Sequence, residues 1–542
     1  MLTRWKHQAV CPEKVQQLSK ELGLSPYLSS LLLQRGINNS EEAQPFLDPQ
    51  IDHLHQAEQL QGITLLARQL DQARQQKEQI QLVINQSIDA LASASIFQQI
   101  LLAGQIPFQV QFSSDTDNTS ENWSIYIGFQ APEGEPANPK NWWISPCFEP
   151  SDHQQKIRIL SAKGTSEYPY QELSATGLAY KLADHLAEAR AWPIEPNAML
   201  ELVALSCTVG EYPMTGENRI MTFLGMQKIK SKPGPFFQEL KRLKLLNQTI
   251  NSKTLQFKVG SFLQEMLQTD QSREILNWLQ GKDLEQIEAL LKMIKLGRKA
   301  QVEGIQTVFK EAERMVLQRH SRSTHCIVLY RPQWPKACLR KAAFKLADRF
   351  GRPCLLATQT KDQQIYGILK SNTDLELTRA LTGIFHQFKS WIPGPSSSAF
   401  ITQKSDLQRI ANQLDQFMEN EIGPQLKTQE IQINLPIKFK DITPALMEEL
   451  NQLAPFGRGN KQPIFQTQGV REIEESTTLG NHLRVTLKQG RAPARPGIGF
   501  GLAEYQRKIR KKAFDICFTI HENQANGKEE LQLNIKDIKL RK

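Results

Sequence analysis

The spacing of apolar and polar positions changes several times along the chain, and each change predicts a different kind of element. Over 1–75, apolar side chains recur at helical intervals in LSKELGLSPYLSSLLLQRGI and ITLLARQLDQARQQKEQ, with breaks at Ser25-Pro26, Arg35-Gly36, Pro45 and Pro49. Short helices are expected there, with Asn39 or Ser40 as the N-cap of the segment SEEAQPFL. Over 76–225 short apolar runs alternate with helical stretches. Strands are expected at 80–84, 107–112, 124–129 and 142–145 and a helix over 89–102, the alternation of a doubly wound α/β sheet. The polar segment 113–122 is short for the crossover helix that a parallel pair needs. Residues 226–300 read as a helical, partly Lys-rich region. Val302, Ile305, Phe309, Ala312 and Val316 mark one face of a connecting helix over 301–322. An α/β pattern restarts over 323–420: strands CIVLY, CLLAT, IYGIL and SAFIT, a basic helix from Lys336 to Arg349, and a helix over 374–388. Over 440–542 short alternating strands with Gly and Asn turns (HLRVTL, GIGFG, FDICFTI, LQLNIKDI) predict a small β-barrel of the OB type.

Composition narrows the class. No apolar run approaches the roughly 18–20 residues that span a bilayer, and the opening MLTRWK has no signal-peptide pattern. The 7 cysteines are scattered without a C-x-x-C pair. A reducing, cytoplasmic setting is therefore expected, with neither a disulfide framework nor a zinc ribbon. The net charge of +10 is concentrated at one end: 451–542 hold 17 Lys and Arg against 9 Asp and Glu, while the rest is close to neutral. Clustered positive charge suits a polyanion such as nucleic acid; a solvated basic face kept for solubility is the alternative.

The motif-bearing stretch is Ile80–Ala90, IQLVINQSIDA. Together with LGLSP, EEAQPFLDP, TGENR and LAPFGRGN it resembles the RecJ nucleases, 5′→3′ single-stranded-DNA exonucleases of the DHH phosphoesterase superfamily. That resemblance covers essentially the whole chain. It implies a two-lobed DHH and DHHA1 core joined by a long helix, plus a C-terminal OB barrel that binds nucleic acid. In that family a strand I-x-V-x-G-D-Y-D-V-D-G brings three aspartates to a pair of Mn2+ or Mg2+ ions. Here those positions carry Asn85, Ser87 and Asp89. The family's I-T-V-D-C-G places Gly128 at its aspartate, V-T-D-H-H falls on Pro146, Cys147 and Phe148, and A-D-V-V-P puts Gly210 at its aspartate with Glu211 one position on. A single carboxylate does not hold two hard cations, so no catalytic residue and no cofactor is expected. Asp89 reads instead as the N-cap of the following helix. Asp115, Asp117, Glu121, Asp152 and His153 could rebuild a site only from polar loops, and Asp52, His53 and His55 read as surface loop.

Nucleic-acid contacts are expected from Lys370, which replaces the Arg of the family's G-S-x-R-S, and from Phe456, Arg458, Arg484, Arg507, Lys508, Arg510, Lys511 and Lys512 in the barrel. Phe465, Phe500, His482 and Tyr505 are further candidates for stacking on bases, with Phe465, Phe514 and Phe518 read as core. Three functions remain open on the sequence. One is a RecJ-like pseudo-nuclease that binds single-stranded nucleic acid, DNA being expected, in repair, recombination or replication. The others are a working 5′→3′ exonuclease and a non-catalytic assembly protein with a replication or repair partner. The vacated site is expected to be filled by Trp142, Trp143, Phe148 and Tyr212, and the barrel to fold by itself.

Overall fold

The computed structural model describes residues 4–541 apart from 113–122, 130–137, 147–156, 164–167, 247–249, 319–324, 361, 372–380, 382, 384–386, 393–396, 423–429, 481 and 526–527. The chain forms two compact units. One comprises 1–48, 427–456 and 460–542, the other 49–426 and 457–459.

The larger unit begins with a five-stranded sheet in the order Phe108–Phe112, Ile80–Ile84, Ser124–Ile127, Trp142–Ile144, Arg158–Leu160, all parallel. Four of the strands fall within a residue or two of their predicted positions, and the edge strand Arg158–Leu160 is not predicted by the pattern. The central strand IQLVI is buried almost throughout, as expected for a parallel strand covered on both faces. Leu82, Ile84, Ile125, Ile127, Trp142 and Ile144 belong to the main core, while Val83, Tyr126, Trp143 and Ile159 form a separate small cluster. Alternation along the strands therefore sends the two tryptophans to opposite faces. The helix Ile88–Ala103 is buried on nearly every side. It packs with the helices Ala175–Arg190 and Pro196–Val209, so its apolar residues are not confined to one stripe.

A 33-residue helix, Gln286–Gln318, leads into the second sheet of this unit. Ile305, Val308 and Ala312 are buried there, whereas Val302, placed on the same face by periodicity, is 54% exposed. The second sheet has the order Phe388–Ile392, Ser397–Thr402, Ile365–Lys370, Cys354–Gln359, Ile327–Tyr330. Only its Ile327–Tyr330 and Cys354–Gln359 pair is parallel. Most of the predicted helix 374–388 lies outside the described residues; at its end Phe388 opens a strand.

In the smaller unit, Phe465–Glu472 pairs with Phe514–Ala525, then Lys528–Leu540, Arg495–Gly499 and His482–Lys488 follow. His482–Lys488 returns to Phe465–Glu472 through Arg471 and Glu472, which closes an OB-type barrel. Phe465, Phe514 and Phe518 are core residues, as their period-two positions predicted. The expectation that the barrel folds alone needs revision. Arg4–His7 pairs in parallel with Glu430–Ile433, and the Trp5 indole donates to Asp537 at 2.8 Å. Leu18, Leu28, Leu31 and Leu32 share a core with Phe439, Leu446 and the barrel interior. Asn39 caps the helix Ser40–Leu47 by accepting from the Glu42 amide.

Candidate functional site

The C-terminal ends of the parallel strands are where open α/β sheets form their ligand crevice. Here, among the described residues, they hold a hydrogen-bond network. The strand Ile80–Ile84 delivers Asn85, whose side-chain amide donates to the Gly128 carbonyl at 2.9 Å. Gly128 has φ = 78°, and a Cβ there would lie 2.9 Å from the Ala90 Cβ and 3.3 Å from the Asn85 Cβ. A longer side chain at 128 would be both strained and crowded.

Ser87, not Asp89, caps the helix Ile88–Ala103, accepting from the Ala90 amide at 3.2 Å. Asp89 sits in the first turn and is 8% exposed. Its Oδ1 accepts from the Thr176 amide at 3.0 Å, the Thr176 hydroxyl at 2.7 Å and the Ser206 hydroxyl at 2.5 Å. Its Oδ2 accepts from the Ala175 amide at 3.1 Å and the Tyr212 hydroxyl at 2.6 Å. Asp89 thus faces the amino end of the neighbouring helix Ala175–Arg190, where exposed amides and the helix dipole favour an anion. Five donors on two oxygens use the acceptor capacity of a carboxylate. Sequence reasoning misses Thr176 and Ser206; the cap signature Ser174-Ala-Thr-Gly177 is the one signal that points toward them.

The other expected positions separate. Gly210 ends the helix Pro196–Val209 with φ −75°, so it is a helix cap and not a strand residue. Of the side chains expected to fill the site, Tyr212 does so through Asp89. Trp142 stands near the amino end of its strand, bonded to Gln69, and Trp143 stacks on Tyr126 at 4.8 Å. Pro146 lies beyond the strand Trp142–Ile144. Cys147 and Phe148 are outside the described residues, as are Asp115, Asp117, Glu121, Asp152 and His153. Cys207 is fully buried next to Ser174, and burial pushes its thiol up to about 12, which makes it a poor nucleophile.

A second buried network involves TGENR. Glu217 pairs with Lys181 at 2.7 Å, and both side chains are almost inaccessible. Glu217 also accepts from the Tyr168 hydroxyl at 2.6 Å and the His55 amide at 2.9 Å. His55 therefore serves through its backbone. His53 accepts from the Gln50 amide, which makes it part of a local turn. No group of three or more His, Cys, Asp or Glu side chains able to hold a metal ion occurs among the described residues.

Lys370 is not displayed to solvent. Its ammonium lies 3.2 Å from Glu211, and burial lowers its pKa while the Glu211 carboxylate opposes that shift. In the barrel, Arg484 is exposed on the outer face of His482–Lys488, next to exposed His482. His482 meets Phe500 edge to face at 5.0 Å, and Phe500 is 59% exposed. Phe456 is half-buried against the barrel core, and Tyr505 is half-buried under Lys508. Arg458 is half-buried, with its carbonyl accepting from the Met214 amide. Of the basic run, Lys508 pairs with Glu504 and Arg510 with Glu475, while Arg507, Lys511 and Lys512 are exposed.

Residues 433–537 match the family model described as the RecJ OB domain. The single-stranded-DNA-specific exonuclease RecJ of Bacillus subtilis is 23% identical over 562 aligned positions, spanning 98% of this chain and 70% of that protein. The chain is related to RecJ. The RecJ of Escherichia coli is 22% identical over 402 positions, covering 68% of each chain. RecJ of Thermus thermophilus solved with Mn2+ superposes with a TM-score of 0.78 at 17% identity, over 100% of this chain and 80% of that one. The Mg2+ form of the same RecJ gives a TM-score of 0.73. The fold is that of RecJ: an α/β core of two lobes joined by a long helix, with an OB barrel. Among the described residues, no helix is long and apolar enough to cross a membrane.

Proposed function

We propose that this chain is a RecJ-like protein that binds single-stranded nucleic acid, DNA in the first instance, without cleaving it. The observation that carries the reading is the saturation of Asp89 by five internal donors. The Thermus RecJ structures hold Mn2+ or Mg2+, but the residues present here do not fit such ions. Asn85 offers an amide N–H to Gly128, Gly128 has no room for a carboxylate, and the Asp89 lone pairs are already used. A divalent ion wants several anionic oxygens held by rigid elements.

Binding then rests on the barrel. Phe500 and His482 offer an exposed ring pair beside Arg484, and Arg507, Lys511 and Lys512 supply positive charge. Rings and cations of this kind hold single strands by stacking and phosphate contact. We assign this activity to the cytoplasm, as the scattered cysteines suggest, and to DNA repair, recombination or replication, as the resemblance to the RecJ nucleases implies. The test incubates the full chain with 5′-phosphorylated single-stranded DNA and Mn2+ or Mg2+, measuring retention and nucleotide release together. Salt-sensitive retention without release is expected. Metal-dependent release from the 5′ end would establish an exonuclease and overturn the reading; absence of retention would leave an assembly protein.

A further inference from the structure

The two lobes of the larger unit keep separate apolar cores. Among the described residues, each apolar cluster of this unit stays within one lobe and the part of the 33-residue helix seated in it. Ile287 and Leu291, at the start of that helix, join the core of the parallel sheet. Ile305, Val308 and Ala312, farther along, join the core of the second sheet. Met293 and Val302 lie between these anchors and are exposed. The helix is thus a rod seated at its two ends in different lobes. Bodies that share no apolar core move relative to one another unless something else holds them.

Charged pairs do cross from one lobe to the other. Glu211 lies 3.2 Å from Lys370, and Glu265 lies 2.8 Å from Lys341. Both carboxylates belong to the first lobe and both ammoniums to the second, where Lys341 stands on the helix Lys336–Phe350 and Lys370 ends the strand Ile365–Lys370. The carboxylates share one mount. Gln256, in the π-helical segment Leu255–Gly260, donates to the Glu211 Oε1 at 3.0 Å, and the helix Ser261–Leu267 that continues this segment carries Glu265. Gly260 lets the mount approach the helix that precedes Glu211, since a Cβ there would lie 2.8 Å from the Val209 Cγ2. A π-helical turn and a left-handed residue such as Glu211, with φ = 56°, cost conformational energy and are kept where they position something. Each pair joins a nearly buried partner to one that reaches solvent: Lys370 is 8% exposed against 30% for Glu211, and Glu265 9% against 43% for Lys341. Attraction of this kind is weakened by salt, as apolar contact is not. We propose that Glu211–Lys370 and Glu265–Lys341 form a two-point electrostatic clasp that holds the lobes closed, so that ionic strength sets how often they part. The inference concerns the body of the protein and does not rest on the barrel reading.

The test is single-molecule energy transfer in the full chain, with dyes on non-canonical residues at exposed Gln227 in the first lobe and exposed Lys404 in the second. At low salt the wild type should show one closed distance. At about 1 M salt, where the Debye length falls to about 3 Å, an open population should appear. E211Q and E265Q should each raise the open-to-closed ratio about two- to fivefold, and E211Q/E265Q should lose the salt response. E265K should open the lobes, and the charge swap E265K/K341E should close them again, a rescue that a merely structural role for Glu265 does not produce. A wild-type distance that ignores salt, a double variant that keeps the wild-type salt response, or a swap as open as E265K alone would each overturn the proposal. The wild-type titration needs no substitution, so it decides even where a variant fails to fold. Nucleic acid is absent from the assay, and the clasp and the barrel reading therefore stand or fall separately.

Discussion

Replacing Asp89 by asparagine separates a structural carboxylate from one kept for a metal. In this chain the carboxylate accepts three donors on one oxygen and two on the other. An amide preserves one acceptor and turns the other into a donor. In its better orientation it keeps the three bonds on Oδ1 and confronts the Ala175 amide and the Tyr212 hydroxyl. Hydrogen bonds to a buried charge contribute roughly 1.5–3 kcal/mol each, and an anion at a helix amino end about 0.3–2 kcal/mol. These terms overlap, so the loss is on the order of 4 kcal/mol and not their sum. Unfolding entropy of about 2.1 cal/mol/K per residue, applied to a unit the size of 49–426, turns this into a drop of roughly 5 °C in Tm. Differential scanning calorimetry of the full chain, following the transition of that unit, measures it. A Tm unchanged or raised in Asp89→Asn would refute the reasoning. It would mean that the carboxylate stands uncompensated, as ligands without their metal do.

Three other outcomes are expected. Asp184 is half-buried near Glu188, and burial first, then Glu188, pushes its carboxyl up to about 6. Because the folded pKa lies above the unfolded one, the group stabilises fully below about pH 4 and loses that contribution through pH 6. Asp184→Asn should therefore gain about 1–2 kcal/mol at pH 8, after allowance for solvent screening, and nothing near pH 4, as read by urea melts. Phe500→Ala should weaken single-strand binding by about 1–3 kcal/mol. Changing Arg484, Arg507, Lys511 and Lys512 together to Ala should lower the log–log salt slope by about 0.7 for each phosphate that is no longer neutralised; an unchanged slope would make that charge a solubility feature. Trp5→Ala empties a buried position and strips Asp537 of its donor, so the smaller unit should lose about 3–5 kcal/mol. A native barrel transition in the variant would show that the amino-terminal strand is dispensable.

Much of the fold is legible in the sequence because its strands are short, apolar and bounded by polar turns. The runs at 80–84, 107–112 and 142–145 have few alternative readings. Partnership is harder to read. Asp89 reads as the cap of the helix that follows it, and only the fold reveals that Ser87 holds that place while Asp89 serves another helix. The apolar run before Gly210 lacks a polar face. That run is a helix buried on most sides, which periodicity cannot separate from a strand. The amino-terminal segment reads as separate because nothing local links Trp5 to Asp537 or Arg4–His7 to Glu430–Ile433. Lys370 is recognisable as a cation, but its pairing with Glu211 spans 159 residues and leaves no local trace.

The network around Asp89 also bears on why one acidic residue suffices where the proposed function needs none for chemistry. A buried carboxylate is costly unless donors surround it. Here those donors come from a helix terminus, a second helix through Ser206, and the turn that carries Tyr212. One side chain thus ties together the helices Ile88–Ala103, Ala175–Arg190 and Pro196–Val209 at the carboxyl edge of the sheet. The edge is held by hydrogen bonds that need no ligand, and under the proposed function the surface that meets nucleic acid is the barrel.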